Sequence, residues 1–154
     1  MKAGHEAMTE EMKIRLMESR DVEAVECLEK QCFSDPWSGK LLLEGLNSKW
    51  DTFWVAVLDD TVIGYSNLRV LSDEGELERI AVAPDHRRLG IGRKLMEAME
   101  DFAAQNQVKA VTLEVRSQNT AALKLYKSYG FEEAGVRRRY YHDPEDDAVI
   151  MWQY

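Results

Sequence analysis

The chain is 154 residues long, 45% apolar and 31% charged, with 20 basic against 28 acidic side chains and a formal charge of −8. Four Trp, six Tyr and four Phe in a chain of this length point to one domain with a real core and exclude a disordered polymer. No apolar run approaches the ~20 residues of a membrane span, and the acidic balance argues against a general nucleic-acid binder.

Residues 1–12 read as a flexible N-terminal extension, because they lack the apolar stretch of a signal peptide and carry Glu6, Glu10 and Glu11. Residues 13–154 read as the single domain. Lys13 to Leu16 predicts a short strand. Ser19 to Asp21 then offers an N-cap to a helix whose apolar positions Val22, Val25, Leu28 and Cys32 recur at helical spacing. Phe33-Ser34-Asp35-Pro36-Trp37 interrupts it, and Ser38 caps a second helix running to Leu46. Thr52 to Leu58 and Val62 to Leu71 predict strands joined in a hairpin at Asp59-Asp60. Asp73-Glu74-Gly75 is expected to turn the chain into a strand from Leu77 to Val82.

The second half is clearer. Gly90 to Gln105 carries Ile91, Leu95, Met96, Met99 and Phe102 on one helical stripe. In Val108 to Val115, Val111, Leu113 and Val115 face one way while Thr112 and Glu114 face the other. Asn119 caps a helix ending at Gly130, and Phe131 to Tyr141 and Ala148 to Gln153 are the last strands, parted by the polar loop His142 to Asp147. The order β-α-α-β-β-β-α-β-α-β-β defines an α/β domain with a mixed central sheet and helices on both faces. Cys27 and Cys32 lie too far apart for a C-x-x-C pair and read as buried or partly buried thiols of a cytoplasmic protein. His5, His86 and His142 are scattered, so no metal is expected.

Chemistry concentrates between Ile80 and Lys94. A strand ends in Val82, and Arg87-Arg88-Leu89-Gly90-Ile91-Gly92-Arg93 leads through glycines into a helix. Free N–H groups of a first helical turn, flanked by Arg87, Arg88, Arg93 and Lys94, make a cradle for a pyrophosphate. An ordinary helix start with solvated arginines would use the same residues. A nucleotide P-loop is excluded because Lys94 does not follow Gly92 directly, and a dinucleotide fingerprint because no third glycine follows.

What remains, R-x-x-G-x-G after a strand, resembles the acetyl-CoA signature of the GNAT N-acetyltransferases. The resemblance extends to Leu113-Glu114-Val115-Arg116, Asn119, Leu125-Tyr126 and Gly130-Phe131. Pro36-Trp37-Ser38 and Arg138-Arg139-Tyr140-Tyr141 also look like segments of the family's protein N-terminal acetyltransferases, in particular its ribosomal-protein-alanine branch. It implies acetyl-CoA as co-substrate without a metal, held by the cradle, by Asn119 and by the backbone of Ile80, Ala81 and Val82. It implies Glu114 as the base that takes a proton from the attacking amine, where partial burial would favour that role. Tyr126 becomes the acid that protonates the departing thiolate, although its spacing alone fits a core tyrosine packed on Leu123 and Tyr129. Phe33, Tyr140 and Tyr141 become acceptor-binding residues, while Trp37 reads equally as core. The implied partner is a protein N-terminus, that of a ribosomal protein, with no direct contact to nucleic acid or membrane. A lysine or small-molecule amine as acceptor is the alternative, and a non-catalytic acyl-CoA-binding module is a second. Arg79 stands where the family often has a small polar residue.

Overall fold

The computed structural model describes residues 11–87 and 89–154. Residues 1–10, most of the expected extension, and Arg88, one of the expected phosphate ligands, lie outside the described residues. Seven strands, β1 (Met12–Leu16), β2 (Asp51–Leu58), β3 (Thr61–Leu71), β4 (Glu74–Val82), β5 (Ala110–Arg116), β6 (Glu132–Tyr141) and β7 (Asp146–Gln153), form one sheet. The helices are α1 (Val22–Cys32), α2 (Gly39–Leu46), α3 (Ile91–Gln105) and α4 (Thr120–Ser128), with short 3-10 turns at Ser19–Asp21 and Pro84–His86. Element order follows the predicted one throughout.

Strand order is β1-β2-β3-β4-β5-β7-β6. Every adjacent pair is antiparallel except β4 and β5, which run parallel. Asp59 and Asp60 both take positive φ, 50° and 65°, as a tight hairpin twisted with its strands requires. The next turn sits at Ser72-Asp73 rather than at Asp73-Glu74-Gly75. Ser72 supplies the left-handed residue (φ 60°), while Glu74 and Gly75 already pair with Leu71 and Val70. A turn residue was expected of Gly75, whereas its missing side chain makes room for Leu68, 3.1 Å from where a Cβ would stand.

Two cores sit on opposite faces of the sheet. One joins the α3 stripe (Ile91, Leu95, Met96, Met99) to Val111, Leu113 and Val115 of β5 and to Phe131. The other joins Val25 and Leu28 of α1 and Leu42 of α2 to Phe53, Val55, Tyr65 and Ala81. Each fully buried Leu or Met contributes ~1.5–3 kcal/mol, which is what fixes the helices to their faces. The α1–α2 layer packs on β2, β3 and β4. The same face of β5, carrying Thr112 and Glu114, opens instead on a groove.

Two local expectations are corrected. Asp21 precedes α1, but its carboxylate does not cap the helix. It turns back to accept from Arg15 Nη1 at 2.8 Å and from the Glu18 N–H at 2.8 Å. Cys27 is exposed rather than buried, and Cys32 is partly buried.

The hydrogen bonds from Arg15 hold the Asp21 carboxyl below the usual carboxylate range, against the opposing effect of burial. A depressed folded-state value means stability that is present above the unfolded pKa and lost as pH falls through the folded one. Asp21→Asn should therefore lower the melting temperature at pH 7, and the gap to the native chain should close progressively as the pH is taken below ~4. A gap that stays constant down to pH 2 would remove this ion pair as its cause.

Candidate active site

The site begins where the sheet comes apart. β4 and β5 pair only at Glu74↔Ala110, Gly75↔Val111 and Glu76↔Thr112. Opposite β3, the pairing jumps from Leu68↔Leu77 to Asn67↔Arg79, so Glu78 is an extra, bulged residue. Beyond it β4 continues along β3 through Ile80, Ala81 and Val82 without β5 on its other side. That leaves a slot with a free backbone edge, where an extended, amide-bearing chain can pair as a strand would.

At the end of the slot lies the start of α3. Gly90 is its N-cap with φ 79°, and Ile91 to Arg93 form the first turn, whose N–H groups lack carbonyl partners within the helix. Nothing stands within 4 Å of where a Gly90 Cβ would be, so φ rather than space requires glycine there. Gly92 also lies against α4: a Cβ there would stand 3.2 Å from Leu125 Cδ2. Leu89 is 63% exposed beside this turn. Arg93 reaches Ser128 Oγ at 3.5 Å. Arg87 folds back over the strand end, its Nε donating to the Val82 carbonyl at 3.2 Å and its Nη2 lying 3.6 Å from Cys32 Sγ. Asn119 caps α4 through Oδ1, accepting from the Ala122 N–H at 3.1 Å, which leaves its NH2 group for another partner.

Two cavities meet along the slot. The inner one, about 300 Å³, is lined by Ile80, Glu114, Asn119, Tyr126 and Tyr141 among others. The outer groove, about 690 Å³, shares Arg79, Glu114 and Tyr141 with it and adds Glu76 and Tyr140. Glu114, with 23% of its side chain exposed, thus lies where the two join. It is not alone: Arg137 Nε donates to Glu114 Oε2. Tyr140 stands beside the same carboxylate, whose charge, with burial second, pushes the phenol above its ordinary pKa.

Tyr126 is 5% exposed and packs against Phe131, ring centroids 6.0 Å apart. It is thus partly the core tyrosine that spacing allows, with Phe131 rather than Tyr129 as aromatic neighbour, and it also reaches the inner cavity. Burial pushes its phenol far above the ordinary value, so it keeps its proton at neutral pH. Tyr141 is pushed up to about 12, first by burial and then by Glu114. Its ring lies under Arg116, 4.5 Å from the guanidinium carbon, and touches Tyr140 edge-on at 5.0 Å. Arg116 also donates to the carbonyls of His142 and Pro144 at 3.0 and 2.7 Å, and so anchors the loop after β6.

Several residues here carried no expected role. Glu29 is fully buried, accepting from the Trp37 N–H at 2.7 Å, from Arg79 Nη2 at 3.1 Å and from the Tyr65 hydroxyl. Arg79 in turn lies over Phe33 and Trp37, 4.1 and 4.5 Å from their ring centroids. Trp37 lines the outer groove and also packs against the second core. A signal for Glu29 existed, since it follows Val25 by four residues on the apolar stripe of α1. Arg137 left no such signal, for it meets Glu114 only through the strand order β5-β7-β6.

A sheet parted at its parallel joint, a helix start with bare N–H groups at one end and a carboxylate near a buried phenol at the other suit acyl transfer from an extended thioester. The chain belongs to the GNAT acetyltransferase family, whose model matches residues 22–131, and it is an acetyl-CoA-dependent N-acetyltransferase. It is 36% identical over 140 residues to the ribosomal protein bS18-alanine N-acetyltransferase of Escherichia coli, covering 90% of this chain and 94% of that protein. Identity to the N-alpha-acetyltransferase RimI of Mycobacterium tuberculosis is also 36%, over 151 residues and 94% of each chain. The crystal structure of the Escherichia coli ribosomal-protein-S18-alanine N-acetyltransferase matches with a TM-score of 0.86 at 34% identity, covering 93% of each chain. That of Ard1 from Thermoplasma volcanium matches at 0.85 and 28%, covering 92% of this chain and 96% of that one.

The residues present fit acetyl-CoA: the free edge of Ile80–Val82 suits the amides of its arm, and the start of α3 with Arg93 suits its pyrophosphate. Gly90→Ala is expected to weaken CoA binding about tenfold, because an L side chain at φ 79° costs ~1–2 kcal/mol and relief would tilt the first-turn N–H groups. Calorimetric titration with CoA checks this; a dissociation constant within twofold of the native value would show that the turn tolerates alanine.

Proposed function

We propose that the protein acetylates the α-amine of a protein N-terminus, that of a small-subunit ribosomal protein beginning with alanine, by direct attack of the amine with Glu114 as base and Tyr126 as acid. One observation carries the reading: Glu114 and Tyr126 line the same inner cavity, and that cavity opens through Glu114 into the larger groove. The relatives named for ribosomal protein bS18 and its alanine supply the acceptor.

Acetyl-CoA, when bound, supplies a thioester whose carbonyl carbon is the electrophile. An N-terminal α-amine has a pKa of ~7.7–8.0 and arrives largely protonated at pH 7. Glu76, Glu78, Asp35 and Glu114 give the outer groove an acidic lining that attracts such a cation. Glu114 takes one proton so that the amine can attack, Tyr126, kept protonated by burial, gives its proton to the leaving sulfur, and the second proton that the nitrogen sheds restores Tyr126. Tyr140, Tyr141 and Phe33 flank the approach, and backbone N–H groups of β4 orient the carbonyl.

The test offers peptides beginning with alanine, and the same peptides with a blocked N-terminus and an internal lysine, together with acetyl-CoA. Mass spectrometry should place the acetyl group on the α-amine of the first set. Acetyl on lysine, or on small amines alone, would replace the proposed acceptor, and CoA binding without turnover on any amine would leave a non-catalytic module.

A further inference from the structure

We infer that Arg79 sets the size of the first acceptor side chain, closing the space beside Glu114 to anything much larger than a methyl or hydroxymethyl group. The inference deepens the function proposed above and rests on it. Arg79 is among the residues that line both cavities, as Glu114 and Tyr141 are, so it borders the neck that joins them. The inner cavity, about 300 Å³, has to take the thioester end and the first side chain together. Whatever occupies the neck therefore decides how large that side chain can be.

An arginine on a surface would be a poor wall, because its long stem swings aside. Arg79 is held at four points. Its guanidinium carbon lies 4.1 Å from the Phe33 ring centroid and 4.5 Å from that of Trp37. Its Nη2 donates to Glu29 Oε1 at 3.1 Å and to the Asp35 carbonyl at 3.0 Å. Glu29 is itself fully buried and bonded to the Trp37 N–H and the Tyr65 hydroxyl. Moving Arg79 away would leave a carboxylate buried without its cation, so the guanidinium remains when a larger side chain presses on it. A large first residue must then stay outside, with its amine out of reach of Glu114. A pocket that excludes by size discriminates 10–200-fold per methylene, enough to separate alanine from leucine.

The test uses two variants, Arg79→Ser and Arg79→Ser combined with Glu29→Gln, the second removing the uncompensated charge. The substrates are peptides identical from residue two onward and beginning with Gly, Ala, Ser, Leu or Met. The native chain should favour the three small residues over Leu and Met at least tenfold in kcat/KM. In whichever variant folds, the Leu-to-Ala ratio should rise tenfold or more. A purely structural Arg79 would lower all peptides together and leave the ratio unmoved, which would overturn the inference, as would a native chain that takes Leu as readily as Ala. Should neither variant fold, Arg79→Lys keeps the charge opposite Glu29 but loses the planar group, and its ratio must shift at least threefold or the inference fails. A native chain that acetylates lysine but no N-terminal peptide would instead remove the proposed acceptor itself.

Discussion

Glu114→Gln is expected to lower kcat/KM toward an alanine-first peptide by about 10²–10⁴-fold, with little change in melting temperature. Glutamine keeps the volume and one acceptor oxygen but cannot take the proton that the α-amine must lose. The ion pair with Arg137 is given up as well, yet Arg137 has 57% of its side chain exposed, and exposed pairs add little to stability. Raising the pH from 7 to 9 should recover part of the loss, because most of the amine is then unprotonated and needs no base. Steady-state kinetics on the peptide decides it. A variant with full activity at pH 7 would show that the proton leaves by another route.

The largest effect on stability is expected at Glu29, not at a hydrophobic position. Glu29→Ala should cost about 3–5 kcal/mol, because it strands the half-buried Arg79 cation and leaves the Trp37 N–H and the Tyr65 hydroxyl without their acceptor. For a chain of this length that is a fall of roughly 6–20 °C in melting temperature. Glu29→Gln keeps the shape and can still accept from two of the three donors, so it should lose much less. Thermal melts of the pair give the comparison, and equal losses for Ala and Gln would mean that the lost charge, not the lost acceptor, sets the cost. Activity should fall with Ala in either case, since Phe33, Trp37 and Arg79 share the anchor.

Most of the fold was legible in the sequence because local signals agree with the packing they produce. The α3 stripe from Ile91 to Met99 is the core face that the sheet needs, Ser38 caps through Leu41, and Gly130 takes φ 89° just past α4. Glu114 stands out for a similar reason, as a carboxylate in the polar phase of an otherwise apolar strand. The bulge at Glu78 has no such mark: one extra residue shifts the register without changing composition, and a strand of alternating Glu and apolar residues looks regular across it. The turn at Ser72-Asp73 was hidden by Gly75, whose small size answers to Leu68 rather than to the backbone. Buried polar partners were the hardest to see. Glu29, Tyr65 and Arg79 come from three separate elements, and only their meeting in space makes each one tolerable in the interior.

The joint between β4 and β5 is only three residue pairs long. Each half of the sheet keeps a raw edge inside the molecule, and raw edges recruit extended chains. A bound arm of acetyl-CoA would act as a removable eighth strand, giving the backbone of Ile80 to Val82 a partner and stitching the halves together for as long as it stays. The enzyme is then most complete as a sheet in the moment before reaction, and each release of product unpicks the seam. Amide exchange at Ile80 and Val82 should therefore keep time with the cofactor, slowing when it is bound and quickening when it leaves.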